Sequence, residues 1–266
     1  MARLIFELKG VYFSYHGKIP ALCDINLNIE EGSKIVIMGA NGTGKTTLLM
    51  LLDALIFPQK GYIRALDREF RENLLNDWEF VRFFRSKVGL LFQNPDVQLF
   101  SPTVKDELIF SLLNLGFTQK EIEKRLSKIV QLFRIKELLD RAPYQLSVGE
   151  KKKVAIASVL IMEPEVLLLD EPTAGLDPQT TRDIIDIILK ENSLGKTIIT
   201  ATHHLEIIEE LADKVYVLGK ENKIVRSDYP KEVLYDEEFL LKYNLAHIHY
   251  HHHKDLVHTH LPLHND

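Results

Sequence analysis

The feature that most restricts this chain is an eight-residue turn, Gly39-Ala40-Asn41-Gly42-Thr43-Gly44-Lys45-Thr46, followed by Thr47. Its spacing is that of a loop that cradles phosphates. Glycines at 39, 42 and 44 let the backbone take conformations closed to other residues and turn its N–H groups towards an anion. A helix starting near Lys45 points its positive end at the same place. Lys45 offers a point charge to β- and γ-phosphates, and the Thr46 hydroxyl can hold Mg²⁺. The flanks agree. Ile35 to Met38 reads as a short apolar strand before the loop, and Lys45 to Phe57 as a buried helix after it, ended by Pro58.

The rest of the chain repeats this alternation of short strands and helices. Leu4 to Leu8 and Ile25 to Ile29 alternate as strands about a turn at His16-Gly17-Lys18. Val88 to Phe92, Val166 to Leu169, Thr197 to Ala201 and Lys214 to Leu218 read as further strands, and Thr180 to Glu191 as an amphipathic helix. The pattern predicts an α/β fold with a mostly parallel sheet covered on both faces. From Thr103 to Leu139 the period is helical, which makes the stretch between Gln93 and Ser147 a helical insertion. Beyond about Tyr243 the pattern gives way to a histidine-rich tail.

With 266 residues the chain can bury one large core. A formal net charge of -5 argues against a general nucleic-acid binder. The single cysteine, Cys23, permits no internal disulfide and suits a reducing compartment. Met1-Ala2-Arg3-Leu4 has no signal-peptide pattern, and no apolar run reaches the ~18 residues of a spanning helix. Any work at a membrane is therefore expected to need another, spanning subunit.

Val166 to Leu169 ends in Asp170-Glu171, two carboxylates at the carboxyl end of a buried strand. Ligands of open α/β sheets bind at that edge. Asp170 would hold the hydrated Mg²⁺ and Glu171 would orient and deprotonate an attacking water. Taken alone, the pair could also be a strand leaving the core with two solvated acids.

Five further motifs make the chain resemble the ATP-binding cassette (ABC) family over roughly residues 3 to 228. Leu146-Ser147-Val148-Gly149-Glu150 resembles the family signature Leu-Ser-Gly-Gly-Gln, with Val148 for the first glycine and Glu150 for glutamine. Read alone it is equally a helix N-cap. Gln93 resembles the Q-loop glutamine and Ala174-Gly175-Leu176-Asp177 the D-loop. Thr202-His203 resembles the switch histidine, with His204 where aspartate is common. Tyr15 resembles the residue that stacks on adenine. The resemblance implies a P-loop NTPase core of the ABC ATPase type, with an antiparallel β subdomain and a helical subdomain. It divides the chain into a cassette over 1–228 (helical insertion about 96–150), a short helical extension over 229–246 and the tail over 247–266.

It also implies ATP and Mg²⁺ as ligands and ATP hydrolysis as the activity. Tyr15, Gly39, Asn41, Gly42, Thr43, Gly44, Lys45, Thr46 and Thr47 would bind nucleotide. Thr46, Gln93 and Asp170 would hold Mg²⁺, while Glu171 and His203 would be catalytic. Ser147 and Gly149 would meet ATP held by the second cassette of a dimer, which could pair identical or related chains. The Q-loop would relay nucleotide state to transmembrane subunits at the cytoplasmic face of the membrane.

The stretch Val88-Gly89-Leu90-Leu91-Phe92-Gln93-Asn94-Pro95-Asp96-Val97-Gln98-Leu99-Phe100-Ser101-Pro102-Thr103-Val104 resembles ATPases of energy-coupling-factor importers, which carry vitamins, cobalt or nickel. Eight of 11 histidines lie in the tail: His247, His249, His251, His252, His253, His258, His260 and His264. Imidazole ligates nickel, cobalt, zinc and copper. The spacing of 247, 249 and 251 puts them on one face of an extended chain, and Pro262 opposes a helix joining His260 to His264. The reading is the ATPase of a cobalt or nickel importer. A vitamin or other transporter, an exporter cassette, a soluble ABC ATPase in repair or translation, and a metallochaperone that binds nucleotide remain as alternatives.

Overall fold

A hairpin opens the chain, β1 (Leu4–Tyr15) and β2 (Ile19–Glu30), and β3 (Lys34–Gly39) leads into the phosphate loop and α1 (Lys45–Leu52). Next come β4 (Lys60–Ala65), β5 (Arg68–Glu69), α2 (Trp78–Lys87) and β6 (Val88–Leu91). The helical stretch comprises α3 (Val104–Asn114), α4 (Gln119–Phe133) and α5 (Val148–Leu160). Then follow β7 (Val166–Asp170), α6 (Pro178–Ser193), β8 (Thr197–Thr202), α7 (Ile208–Leu211), β9 (Lys214–Leu218) and β10 (Ile224–Asp228). Two short helices, α8 (Pro230–Leu234) and α9 (Glu237–Lys242), end this part. The computed structural model describes residues 3–246, and of His249–His253 (β11) and Leu256–His260 (β12) the backbone alone.

The apolar runs form the middle of a six-stranded sheet ordered β10-β9-β3-β8-β7-β6. Its four pairings from β9 to β6 are parallel, and only β10 runs antiparallel. These strands have no polar face because both faces are covered. Val36, Met38, Leu167, Leu169, Val215 and Val217 pack into a core with the helices α3 to α6. Their neighbours Ile35, Ile37, Val166, Leu168, Tyr216 and Leu218 pack with α1 against a second, four-stranded antiparallel sheet ordered β2-β1-β4-β5. The period of two thus divides one sheet between two cores.

Three expectations need correction. The helix from Lys45 stops at Leu52, not Phe57: Ala54 is left-handed (φ 52°), and Arg85 Nη1 donates to both the Asp53 carbonyl and its carboxylate, at 2.8 and 2.6 Å. A helix end satisfied from outside does not need another turn. The helical stretch is broken at Gly116 (φ 73°), after which Thr118 and Glu121 form a reciprocal capping box. The first strand runs to Tyr15, because a register shift between Leu8 and Val11 carries it past the point where its alternation breaks. The elements from β4 to α2 had no counterpart in the sequence reading.

Parallel strands bring like ends together. Met38 pairs with Thr202, and Asp170 with Ala201, so the ends of β3, β7 and β8 share one edge. The loop after β3, Glu171 after β7 and His203 after β8 all leave the sheet there.

Candidate active site

The loop after β3 is shaped by its glycines. Gly42 and Gly44 have φ of 82° and 99°, and a Cβ on Gly44 would lie 2.3 Å from the Ala21 carbonyl oxygen. A Cβ on Gly39 would meet Thr43 Oγ1 at 2.5 Å. Thr43 is buried and donates to the Ala40 carbonyl at 2.9 Å, while Asn41 and Gly42 face outward. Lys45 folds back over the turn, donating to the carbonyls of Gly39 (2.8 Å) and Ala40 (3.2 Å). Burial lowers its pKa, against the opposing pull of Glu171 and Asp170. A polyphosphate in the turn would add anionic charge and reverse that effect.

Thr46 lies in the first turn of α1, its hydroxyl donating to Asp170 Oδ2 at 2.6 Å, across 124 residues of sequence. A hydroxyl and a carboxylate side by side are the oxygen donors that a hard, strongly hydrated cation takes, so the pair fits Mg²⁺. Burial raises the Asp170 pKa, with Thr46 working against it. The side chain of Thr47 points elsewhere, sharing a hydrogen bond of 3.1 Å with the Tyr15 hydroxyl. That contact seats Tyr15 beside the loop, where the sequence reading expects the adenine.

Glu171 is 2% exposed and left-handed, with φ 45°. A non-glycine residue in that region costs energy that the surroundings must impose. Here its N–H donates to the Ala201 carbonyl at 2.9 Å. Its two carboxylate oxygens are both engaged: Oε2 accepts from Thr202 Oγ1 at 3.0 Å, and Oε1 meets His203 Nδ1 at 2.6 Å. The end of β8 therefore orients the acid at the end of β7.

Not every expected residue joins this cluster. Gln93 is exposed, and among the described residues its backbone carbonyl alone is tied in, accepting from Lys152 at 2.6 Å. Ser147 and Gly149 make no hydrogen bond to the phosphate loop among the described residues. Ser147 instead caps α5 in a box with Glu150: Ser147 Oγ accepts from the Glu150 N–H (3.3 Å), and Glu150 Oε2 accepts from the Ser147 N–H (2.8 Å). Hence the glutamate at 150 serves the helix start. Of the tail, His247 and His264 lie outside the described residues.

One residue was missed. Lys152 is 1% exposed and donates to the backbone carbonyls of Gln93 and Glu171, the latter at 3.3 Å. Burial lowers its pKa to about 8, partly offset by Asp170 and Glu171. The signal lay in Lys151-Lys152-Lys153 at the head of an apolar helix: at 3.6 residues per turn, one of three must face inward. The outer two pair with Asp96 (2.7 Å) and Asp183 (2.9 Å).

Residues 22–174 match the family described as ABC transporter, and the chain belongs to that family of ATP-hydrolysing cassettes. The nickel import ATP-binding protein NikO of Rhodobacter capsulatus is 45% identical over 232 residues, covering 86% of this chain and 91% of the relative. The energy-coupling factor transporter ATP-binding protein EcfA of Methanothermobacter thermautotrophicus is 39% identical over 241 residues, covering 91% and 76%. Among solved structures, cbiO1 of Clostridium perfringens, described as part of the ABC transporter complex cbiONQ, has a TM-score of 0.76 and 37% identity, covering 91% of this chain and 95% of that one. A cassette solved as a post-hydrolysis dimer with ADP and Pi has a TM-score of 0.76 and 29% identity, covering 85% and 98%. The chain is an ABC transporter ATPase subunit with energy-coupling-factor and nickel-import relatives. No helix among the described residues is long and apolar enough to cross a membrane.

Proposed function

We propose that this chain powers an importer of the energy-coupling-factor type for cobalt or nickel ions, as one cassette of a dimer bound to transmembrane subunits on the cytoplasmic face. The observation that carries the hydrolytic part is the Glu171 carboxylate, buried and held on both oxygens by Thr202 and His203. Lys45 and the N–H groups of the turn bind the β- and γ-phosphates. Glu171 takes a proton from water as that water attacks the γ-phosphorus and the bond to ADP breaks. His203, with Nδ1 turned to Glu171, keeps its other ring nitrogen for the γ-phosphate. When bound through Thr46 and Asp170, with Gln93 entering on closure, Mg²⁺ neutralises charge on the phosphate oxygens. Ser147 and Gly149 meet the nucleotide of the other cassette. We assign 1–228 to the cassette, with its helical insertion about 96–150, 229–246 to a helical extension and 247–266 to the tail.

A groove of about 550 Å³ supports the docking of a membrane subunit. Trp78 (64% exposed), Phe100 (67%) and Phe110 (42%) stand open along it, and Arg85 with the buried Asp53 and Glu107 also lines it. Large exposed aromatic side chains clustered in one groove are the mark of an interaction surface. It begins next to the Q-loop, since Phe92 and Gln98 also line it.

For the cargo, the names of the relatives are joined by the tail. In the β11–β12 pair His249 lies opposite His260 and His251 opposite His258. Opposed residues of an antiparallel pair share a face, as do residues two apart. The backbone thus gathers four histidines on one face, suited to a borderline-soft cation. Cells lacking this chain are expected to lose nickel or cobalt accumulation, and Glu171→Gln should fail to restore it. Unchanged metal uptake with lost vitamin uptake would favour the vitamin-transporter reading instead.

A further inference from the structure

The switch histidine has an unusual neighbour. His203 and His204 lie side by side, with ring centroids 4.4 Å apart and planes inclined by 31°. Both imidazoles are partly open, at 43% and 33% side-chain exposure. Each has a carboxylate on Nδ1: Glu171 at 2.6 Å from His203, and Glu206 at 3.3 Å from His204. On His204 that carboxylate fixes the tautomer and frees Nε2 as a ligand, the arrangement around most metal-bound histidines; at His203, Nδ1 and the Glu171 carboxylate themselves face each other as a pair of donor atoms. One donor atom from each of Glu171, His203 and His204 lies within 4.8 Å of the others. A tetrahedral or octahedral ion places its ligands about 3 to 3.4 Å apart, so small side-chain rotations suffice.

The pair opens into a cavity of about 500 Å³, walled on one side by Ala40 and Asn41 of the phosphate loop and on the other by Asn244, Leu245 and Ala246. Ala246 is the residue before His247, where the histidine-rich tail begins. The tail is therefore rooted at the mouth of the cavity.

We propose that a transition-metal cation of the nickel, cobalt or zinc class binds at this edge of the active site through His203, His204 and Glu171, and that its binding halts ATP hydrolysis. Ligand chemistry keeps this ion apart from Mg²⁺. Mg²⁺ takes the oxygen donors at Thr46 and Asp170, whereas imidazoles select the softer ions. Inhibition follows from atom use: a Glu171 oxygen spent on the cation cannot take the proton of the attacking water, and a His203 ring held by the cation through Nδ1 loses the hydrogen bond to Glu171 that aims its other nitrogen at the γ-phosphate. A rising free metal concentration thereby slows the engine. This goes beyond the transport reading, because the site stands whether or not the inhibitory ion is also cargo.

The test uses the full-length chain with the eight tail histidines changed to serine, and the same chain carrying His204→Asn. Co²⁺ is titrated without nucleotide and followed by its visible d–d absorption. Mg²⁺-ATPase is then measured at saturating Mg²⁺ against rising Co²⁺ or Ni²⁺. The expected result is a single tight equivalent of Co²⁺, weakened about tenfold or more by His204→Asn. The half-inhibitory metal concentration should rise by the same factor, with metal-free hydrolysis retained. Absence of bound Co²⁺ in the tail-substituted chain overturns the proposal. So does inhibition indifferent to His204, which would point to displacement of Mg²⁺ at Thr46 and Asp170.

Discussion

A single ammonium group, that of Lys152, fastens two pieces of the site that the chain keeps apart. It donates to the carbonyls of Gln93 and Glu171, and its charge lies near Asp170. Lys152→Met keeps the length and apolar stem of the side chain while removing both bonds and the charge. We expect hydrolysis to fall about tenfold or more while cooperative unfolding is preserved, checked by steady-state ATPase and thermal melting. An unchanged rate would show that the carbonyls hold their places unaided. A second buried ion makes a prediction about pH. Burial raises the Asp53 pKa from 3.8 to about 6, in spite of Arg85. The folded state thus holds this proton more tightly than the unfolded chain. The resulting stabilisation is fully present below about pH 4 and is lost as pH rises through about 6, with a limit of about 3 kcal/mol. Urea midpoints should favour wild type over Asp53→Asn most at pH 4.5 and less at pH 7.5. A gap that is constant or widens with pH would contradict the shifted titration.

At the scale of elements, Ser147 raises a question of two roles for one hydroxyl. It caps α5 in the isolated chain, and the proposed mechanism gives it a nucleotide in a dimer. Aspartate is as good an N-cap as serine but repels phosphate. Ser147→Asp should therefore melt close to wild type yet lose most ATPase activity. Normal turnover would leave the cap as its whole role. How much of this was legible in the sequence depends on how far each constraint reaches. The turn at 39–46 and the Asp170-Glu171 strand end were readable because spacing within a few residues specifies them. The Thr46–Asp170 and Glu171–His203 contacts were expected only as shared roles; their geometry depends on the register of β3, β7 and β8, fixed by packing across the molecule. The true end of α1 was hidden for the same reason, since Arg85 arrives from 32 residues away. The inward lysine of α5 was ambiguous among three, and the left-handed backbone at Glu171 left no mark in composition.

At the scale of the whole molecule, the proposed mechanism asks more of the site than one chain provides. Ser147 and Gly149 have no hydrogen bond to the phosphate loop among the described residues, although the proposed mechanism needs both elements on one nucleotide. In the proposed mechanism a second copy, or a related chain, supplies the missing face. Glu171→Gln with Mg²⁺ and ATP is expected to double its scattering mass, and the wild type to return to monomer as ATP is spent. A Glu171→Gln chain that stays monomeric with saturating ATP would contradict the head-to-tail dimer.

A direct path from the phosphate loop to the aromatic groove lies along α1. Eight residues make a rod about 12 Å long. One tip carries Lys45 and Thr46, which the proposed mechanism sets on the phosphates and Mg²⁺; at the other, Asp53 forms part of the aromatic groove and is bolted to Arg85 of α2. With no glycine or proline between the two tips, the rod can tilt but cannot fold. Any displacement imposed at one tip must reappear at the other, so in the proposed mechanism fuel and load act on the same lever.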